Sequence, residues 1–212
     1  MPEIKTIDSV RKGRIRQRII RFESEPGFTI SEETYLRFGL STGQELNESE
    51  QHEIVTEDGV AIARGAAIRL LNTRMRSRAE LYQRLLKKDF QADTVERVLD
   101  GLTGAGLVND ERFARAWVND RLRLRPSGLI LLRRELKKRG IAESIIAQIL
   151  SEHNEDDEIE RAWLLLSRRR AQFEGLDYQT SRRRMSGYLA RRGFNGHTMY
   201  TVVSRLLDDM KE

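Results

Sequence analysis

The chain has 212 residues, enough for one or two domains with real cores; a third are charged, the net charge is +5 and the pI is about 9.7. It has no cysteine, which excludes disulfides, Cys-ligated zinc and thiol catalysis. No apolar run approaches a membrane span and no basic-then-apolar leader pattern opens the sequence, so the cytoplasm is the expected compartment.

Charge is unevenly spread. Residues 1–60 carry 8 basic and 12 acidic side chains, whereas residues 61–212 carry 30 and 21. A mildly acidic head therefore precedes a basic body, and basic bodies meet nucleic acid or acidic protein surfaces.

In the head, Arg14 to Phe22 begins with polar–apolar alternation and is rich in β-branched residues, which predicts a strand. Glu25-Pro26-Gly27 is a turn signal, with Gly accepting a positive φ, and Phe28-Thr29-Ile30 is expected to pair back. Ser31 caps a short helix over Glu32 to Phe38, punctuated by Gly39 and Gly43. The stretch reads as an ordered head or as an arm that orders on its neighbour. Asn47 to Met75 is mainly helical, with an interruption expected near Asp58-Gly59 and a long helix from about Val60 that buries Ala63, Ala67, Leu70 and Leu71.

Ser77 to Asn109 reads as a helical hairpin. Leu81, Leu85 and Phe90 mark one apolar face, and Val95, Val98, Leu99 and Leu102 rebuild it on a second helix. The pattern returns twice. Ser127 to Leu150 has Leu132, Leu136, Gly140-Ile141, then Ile145, Ile146, Ile149 and Leu150. Ser181 to Leu207 has Met185, Leu189, Gly193-Phe194, then Met199, Val202, Val203 and Leu206. Anchored on Phe90, Ile141 and Phe194, the copies lie roughly fifty residues apart, a spacing of stacked helical repeats.

Between the hairpins, Asn109-Asp110 caps a helix with Phe113, Trp117 and Leu122 near one face. Arg125-Pro126 breaks it, and Pro126 is placed to start the next helix, which Gly140 stops. His153 to Glu158 suits a linker and a helix first turn, Glu155 to Phe173 carries Ile159, Trp163, Leu166 and Phe173, and Gly175 to Thr180 is a loop. The expected fold is mainly α: three tandem three-helix repeats forming an elongated, curved body, with a small strand-containing N-terminal region. The divisions are 1–46 for a hairpin or arm, then 47–108, 109–154 and 155–212 for the repeats.

Catalytic signals are weak. His52, His153 and His197 have no partner at metal-ligand spacing, and Gly101, Gly104 and Gly106 follow a helix with no Lys-Ser or Lys-Thr behind them, as a phosphate loop would need. Neither cofactor nor metal is expected. The basic clusters say more. Arg134 and Lys138 lie opposite Leu129, Leu132 and Leu136, with Arg133 and Lys137 on a flank. Arg161 and Arg168 are expected to project away from Trp163, Arg184 and Arg191 repeat that seven-residue spacing, and Arg121, Arg123 and Arg125 add charge before the middle hairpin. Any one of these fits a solvated helix face. Together they suggest a stripe that binds phosphate or carboxylate without sequence preference and weakens with salt. Phe113, Trp117, Trp163 and Phe173 sit at core spacing, which leaves Tyr82, Tyr188 and Tyr200 as candidate stacking platforms.

The segments RSRAELYQRLLKKDF, VERVLDGLTGAGLVNDERFARAWVNDR, LRRELKKRGI and YLARRGF, with FGL and GQEL upstream, resemble the RecX family of bacterial RecA modulators over nearly the whole chain. One departure is Lys88-Asp89-Phe90, where the other repeats have a basic residue, Gly and an apolar residue; Asp89 must then take a left-handed conformation. The resemblance implies a non-catalytic regulator that binds RecA filaments on single- or double-stranded DNA. It would suppress ATP hydrolysis and strand exchange and block filament extension or promote disassembly, acting as a monomer with no membrane partner. The competing readings are a sequence-tolerant DNA-binding protein acting without RecA, a helical scaffold for acidic proteins and, most remotely, an enzyme.

Overall fold

The computed structural model describes residues 1–12, 15–23 and 25–210; Arg14, which opens the predicted strand, and Lys211 and Glu212, which end the third predicted repeat, lie outside them. Contacts divide the chain into two units, Met1–Met75 with Leu81–Val108, and Arg76–Glu80 with Asn109–Glu212.

In the first unit, β1 (Ile4–Lys12), β2 (Ile15–Phe22) and β3 (Phe28–Ser31) form an antiparallel sheet in that order. The predicted return strand pairs with β2, Ile20 opposite Phe28. The sequence reading missed β1, whose register sets Ile7 opposite Ile20. Gly27 is needed for space rather than for a positive φ: a Cβ there would fall closer than 3.0 Å to the Ile20 carbonyl oxygen. Ser31 ends β3 and caps α1 (Glu32–Phe38), its hydroxyl accepting the Thr34 N–H.

The expected interruption near Asp58-Gly59 is absent. One helix, α2 (Glu48–Leu71), runs through it from an Asn47–Glu50 capping box. Asp58 does not break the helix because its carboxylate is satisfied from outside, accepting the Ser31 N–H at 2.8 Å and hydroxyl at 2.6 Å. The helix also serves two cores. Ile54 packs with Ile4, Ile20, Phe22 and Ile30, whereas Val60, Ala63 and Ala67 pack with Leu81 and Leu85 of α3 (Arg78–Leu86) and Val95 to Leu102 of α4 (Ala92–Gly104).

The second unit holds α5 (Asp110–Leu124), α6 (Leu129–Lys138), α7 (Glu143–Ser151), α8 (Glu155–Ser167), α9 (Tyr178–Arg191) and α10 (Gly196–Asp209). The predicted apolar faces are the cores: Leu132, Leu136 and Ile146 are fully buried in one, Met185, Leu189 and Leu166 in the other. Three boundaries differ from expectation. Pro126 does not start α6, which begins three residues later behind Gly128. The helix from Glu155 stops at Ser167, and Phe173 enters the core after a 3₁₀ turn at Arg170–Gln172. The predicted loop ends early because Asp177 caps α9; hydrogen bonds from Thr180 hold its carboxyl below the usual range.

A joint recurs within the second unit. Ser77 Oγ donates to the Arg139 carbonyl at 2.7 Å, and at the equivalent place the Gly128 N–H donates to the Arg192 carbonyl at 3.0 Å. The residue after each of these carbonyls is left-handed, Gly140 at φ 74° and Gly193 at φ 79°. A Cβ on either would fall closer than 3.0 Å to a neighbouring residue, Ala79 and Leu131 respectively. Asp89 takes the same conformation in the first repeat, φ 64°, as expected, and there its side chain is exposed.

Candidate functional site

The middle repeat separates structural cations from free ones. The Trp117 indole N–H donates to Glu135 at 3.0 Å, and Arg121 closes on the same carboxylate with two hydrogen bonds of 2.8 and 2.9 Å. Arg121 and Arg139 also lie over the indole ring, 4.9 and 3.4 Å from its centroid. Arg121 is thus occupied in holding α5 against α6. Arg133 pairs with Glu143, and Arg123 lies 3.5 Å from Asp120. Arg134, Lys137 and Lys138 are exposed and have no carboxylate partner among the described residues, because Leu132 and Leu136 turn the opposite face of α6 into the core. Arg125 is also exposed.

In the third repeat Arg161 does not project freely. It is half-buried, its Nε and one Nη have no hydrogen-bond partner among the described residues, and burial holds the guanidinium below its ordinary value against the pull of Glu158 and Asp157. Burial, then Arg161, likewise lowers the His153 imidazole. Arg168 is exposed. Arg184 and Arg191 come together with Arg169 and Arg183 around a pocket of about 430 Å³ floored by Phe173 and Tyr188.

The sequence reading missed Arg169 and Arg183, which lie beside residues it singled out. Their signal is that α9 contains no Asp or Glu at all, so its arginines have no carboxylate on their own helix. Tyr188 is not a free stacking platform, since Arg169 and Arg192 lie 4.4 and 5.4 Å from its ring centroid. Tyr82 packs partly buried against the first repeat's core, and Tyr200 is exposed. Among the described residues no group of three His, Asp or Glu is placed to hold a metal ion, and no helix is long and apolar enough to cross a membrane.

Comparison with known proteins decides the family. Models of the first, second and third three-helix domains of RecX match residues 63–102, 109–150 and 155–203. A regulatory protein RecX from Corynebacterium efficiens is 38% identical over 161 residues, 74% of this chain and 77% of that protein. The chain belongs to the RecX family. The RecX of Amycolatopsis mediterranei is 34% identical, with 74% of this chain covering 95% of that one. Two crystal structures share the fold. One is of a regulatory protein RecX, with a TM-score of 0.77 at 22% identity, covering 95% of this chain and 98% of that one. The other, RecX from Lactobacillus salivarius, has a TM-score of 0.67 at 21% identity, covering 71% and 97%. In this RecX chain the free cations of α6 fall in the second matched domain, and the arginine pocket falls in the third.

Proposed function

We propose that this RecX chain is a non-catalytic regulator of the RecA recombinase. It binds RecA filaments on DNA and inhibits ATP hydrolysis, strand exchange and filament extension, so modulating recombination, repair and the SOS response in the cytoplasm. It acts as a monomer. Relatives named regulatory protein RecX support the regulatory role. The observation that carries the reading is the set of exposed cations without carboxylate partners among the described residues on successive repeats, Arg134, Lys137 and Lys138 on α6 and Arg184 and Arg191 on α9. Such a surface suits an assembly whose outside is repeatedly anionic.

The test is DNA-dependent ATP hydrolysis by RecA on single-stranded DNA, titrated with this protein and with its Arg134→Glu/Lys138→Glu variant. Loss of hydrolysis at amounts well below RecA, relieved by the variant, is the expected result. No effect on a cognate RecA sinks the reading. Inhibition only near saturation of the DNA indicates simple competition for the strand, the behaviour of a sequence-tolerant DNA-binding protein acting without RecA.

A further inference from the structure

We infer that the arginine pocket of the third repeat is a phosphodiester-backbone site that holds one nucleic-acid strand without reading its bases. The inference deepens the proposed function, and rests on it only in taking DNA as a partner.

Four guanidinium groups from two segments surround the pocket. Arg169 comes from the turn after α8, and Arg183, Arg184 and Arg191 come from α9. None is paired with a carboxylate among the described residues; the nearby acids are engaged elsewhere, Glu174 with Arg170 at 3.8 Å and Asp177 in its cap on Thr180. Holding like charges together without neutralisation costs free energy, and an anionic ligand recovers it. Two features pre-organise the group. The Tyr188 ring holds Arg169 by a cation–π contact of 4.4 Å. Gly187 leaves the helix surface bare beneath Arg191; a Cβ there would come within 3.3 Å of its Nη1.

The arrangement selects among anions. Arg184 and Arg191 are seven residues apart, about 10 Å along the helix axis, so they form a ladder rather than a clamp on one phosphate. Its rungs Arg183, Arg184 and Arg191 are exposed. A free nucleotide needs a slot for its base, but Phe173 is buried and the Tyr188 ring already carries guanidinium groups. An acidic protein needs apolar anchors of its own, and among the described residues the same two rings are the only aromatic side chains lining the pocket. All four cations are arginine, whose planar fork matches phosphate oxygens. A strand backbone supplies anions in series and asks for no base contact.

The test omits RecA, so its failure leaves the ATPase result standing. Binding of a fluorescent oligothymidylate to the full chain is followed by anisotropy from 50 to 200 mM salt, for wild type, Arg183→Gln/Arg191→Gln and Lys87→Gln/Lys88→Gln, two exposed cations just after α3. The third-repeat variant is expected to bind at least about tenfold more weakly, with a log–log salt slope shallower by ~1.4, or ~0.7 for each phosphate contact removed. The first-repeat variant is expected to stay within about twofold of wild type. An unchanged slope in the third-repeat variant, equal losses in both variants, or displacement of the strand by polyglutamate as readily as by unlabelled oligonucleotide each overturns the assignment. Circular dichroism of both variants identifies a loss that comes from unfolding, and the slope measured on the single variant Arg183→Gln then decides.

Discussion

Gly193 lies against Leu131 so closely that a β-carbon on the glycine would overlap the Leu131 backbone and Cβ. The same approach joins Gly140 to Ala79, and both glycines are left-handed. Asp89 has the same backbone conformation but an exposed side chain, which accounts for the departure of the first repeat from the Gly pattern: the first hairpin needs the turn, and not the clearance.

Gly193→Ala therefore combines left-handed strain with overpacking and should cost about 2 to 4 kcal/mol. Asp89→Ala meets only the first of these and should cost about 1 kcal/mol. Urea denaturation midpoints of the two variants check the difference; equal losses would mean that the close approach contributes nothing.

Glu57 sets a pH dependence. Its carboxyl is 7% exposed as a residue, accepts a hydrogen bond from Arg37 at 2.8 Å and pairs with Arg97 of α4. Burial pushes its pKa up, but the two guanidinium groups outweigh burial and hold it below the ordinary value. A depressed carboxylate stabilises the fold fully above the unfolded-state value of about 4.3, and that stabilisation is lost as pH falls through the lower folded value. Glu57→Gln should be the less stable protein at neutral pH, and the gap should close on acidification. Thermal melts at pH 7 and at about pH 3 measure it, and a gap of constant size contradicts the role.

Arg121 and Arg134 were indistinguishable as charges in the sequence, and their variants should separate them. Arg121→Ala strips two hydrogen bonds from Glu135 and one cation from the Trp117 ring, and should cost about 1 to 3 kcal/mol. Arg134→Ala should stay within about 0.5 kcal/mol. Denaturation of both at neutral pH checks the contrast, and it also tells whether a binding defect in either comes from lost stability.

The repeat cores were legible because each helix turns a single apolar stripe inward, as Leu81 with Leu85, Leu132 with Leu136 and Met185 with Leu189 do. The continuity of α2 was not. Its Ile54 faces one core and its Ala63 another, and the charges between them read as a break because their partners, Ser31, Arg37 and Arg97, are remote in sequence. Strand β1 escaped notice because, among its described side chains, only Ile4 is fully buried and Ile7 partly so, too few apolar positions for a period of two to stand out. At the candidate surface the positive charges were visible, but not which of them Glu135 and Glu143 already occupy.

Glu158, only 2% exposed, accepts the backbone N–H of Leu129 at the start of α6 with one oxygen and the side-chain amide of Asn195, the cap of α10, with the other. One carboxylate thus closes two helix ends that belong to different repeats. Cutting the gene after His153 would separate sequences but not structures. The shorter product would start α6 with an uncapped amide, and the released third repeat would carry an anion shaped for a neighbour it had lost. Truncations meant to isolate the arginine pocket should keep the middle repeat attached.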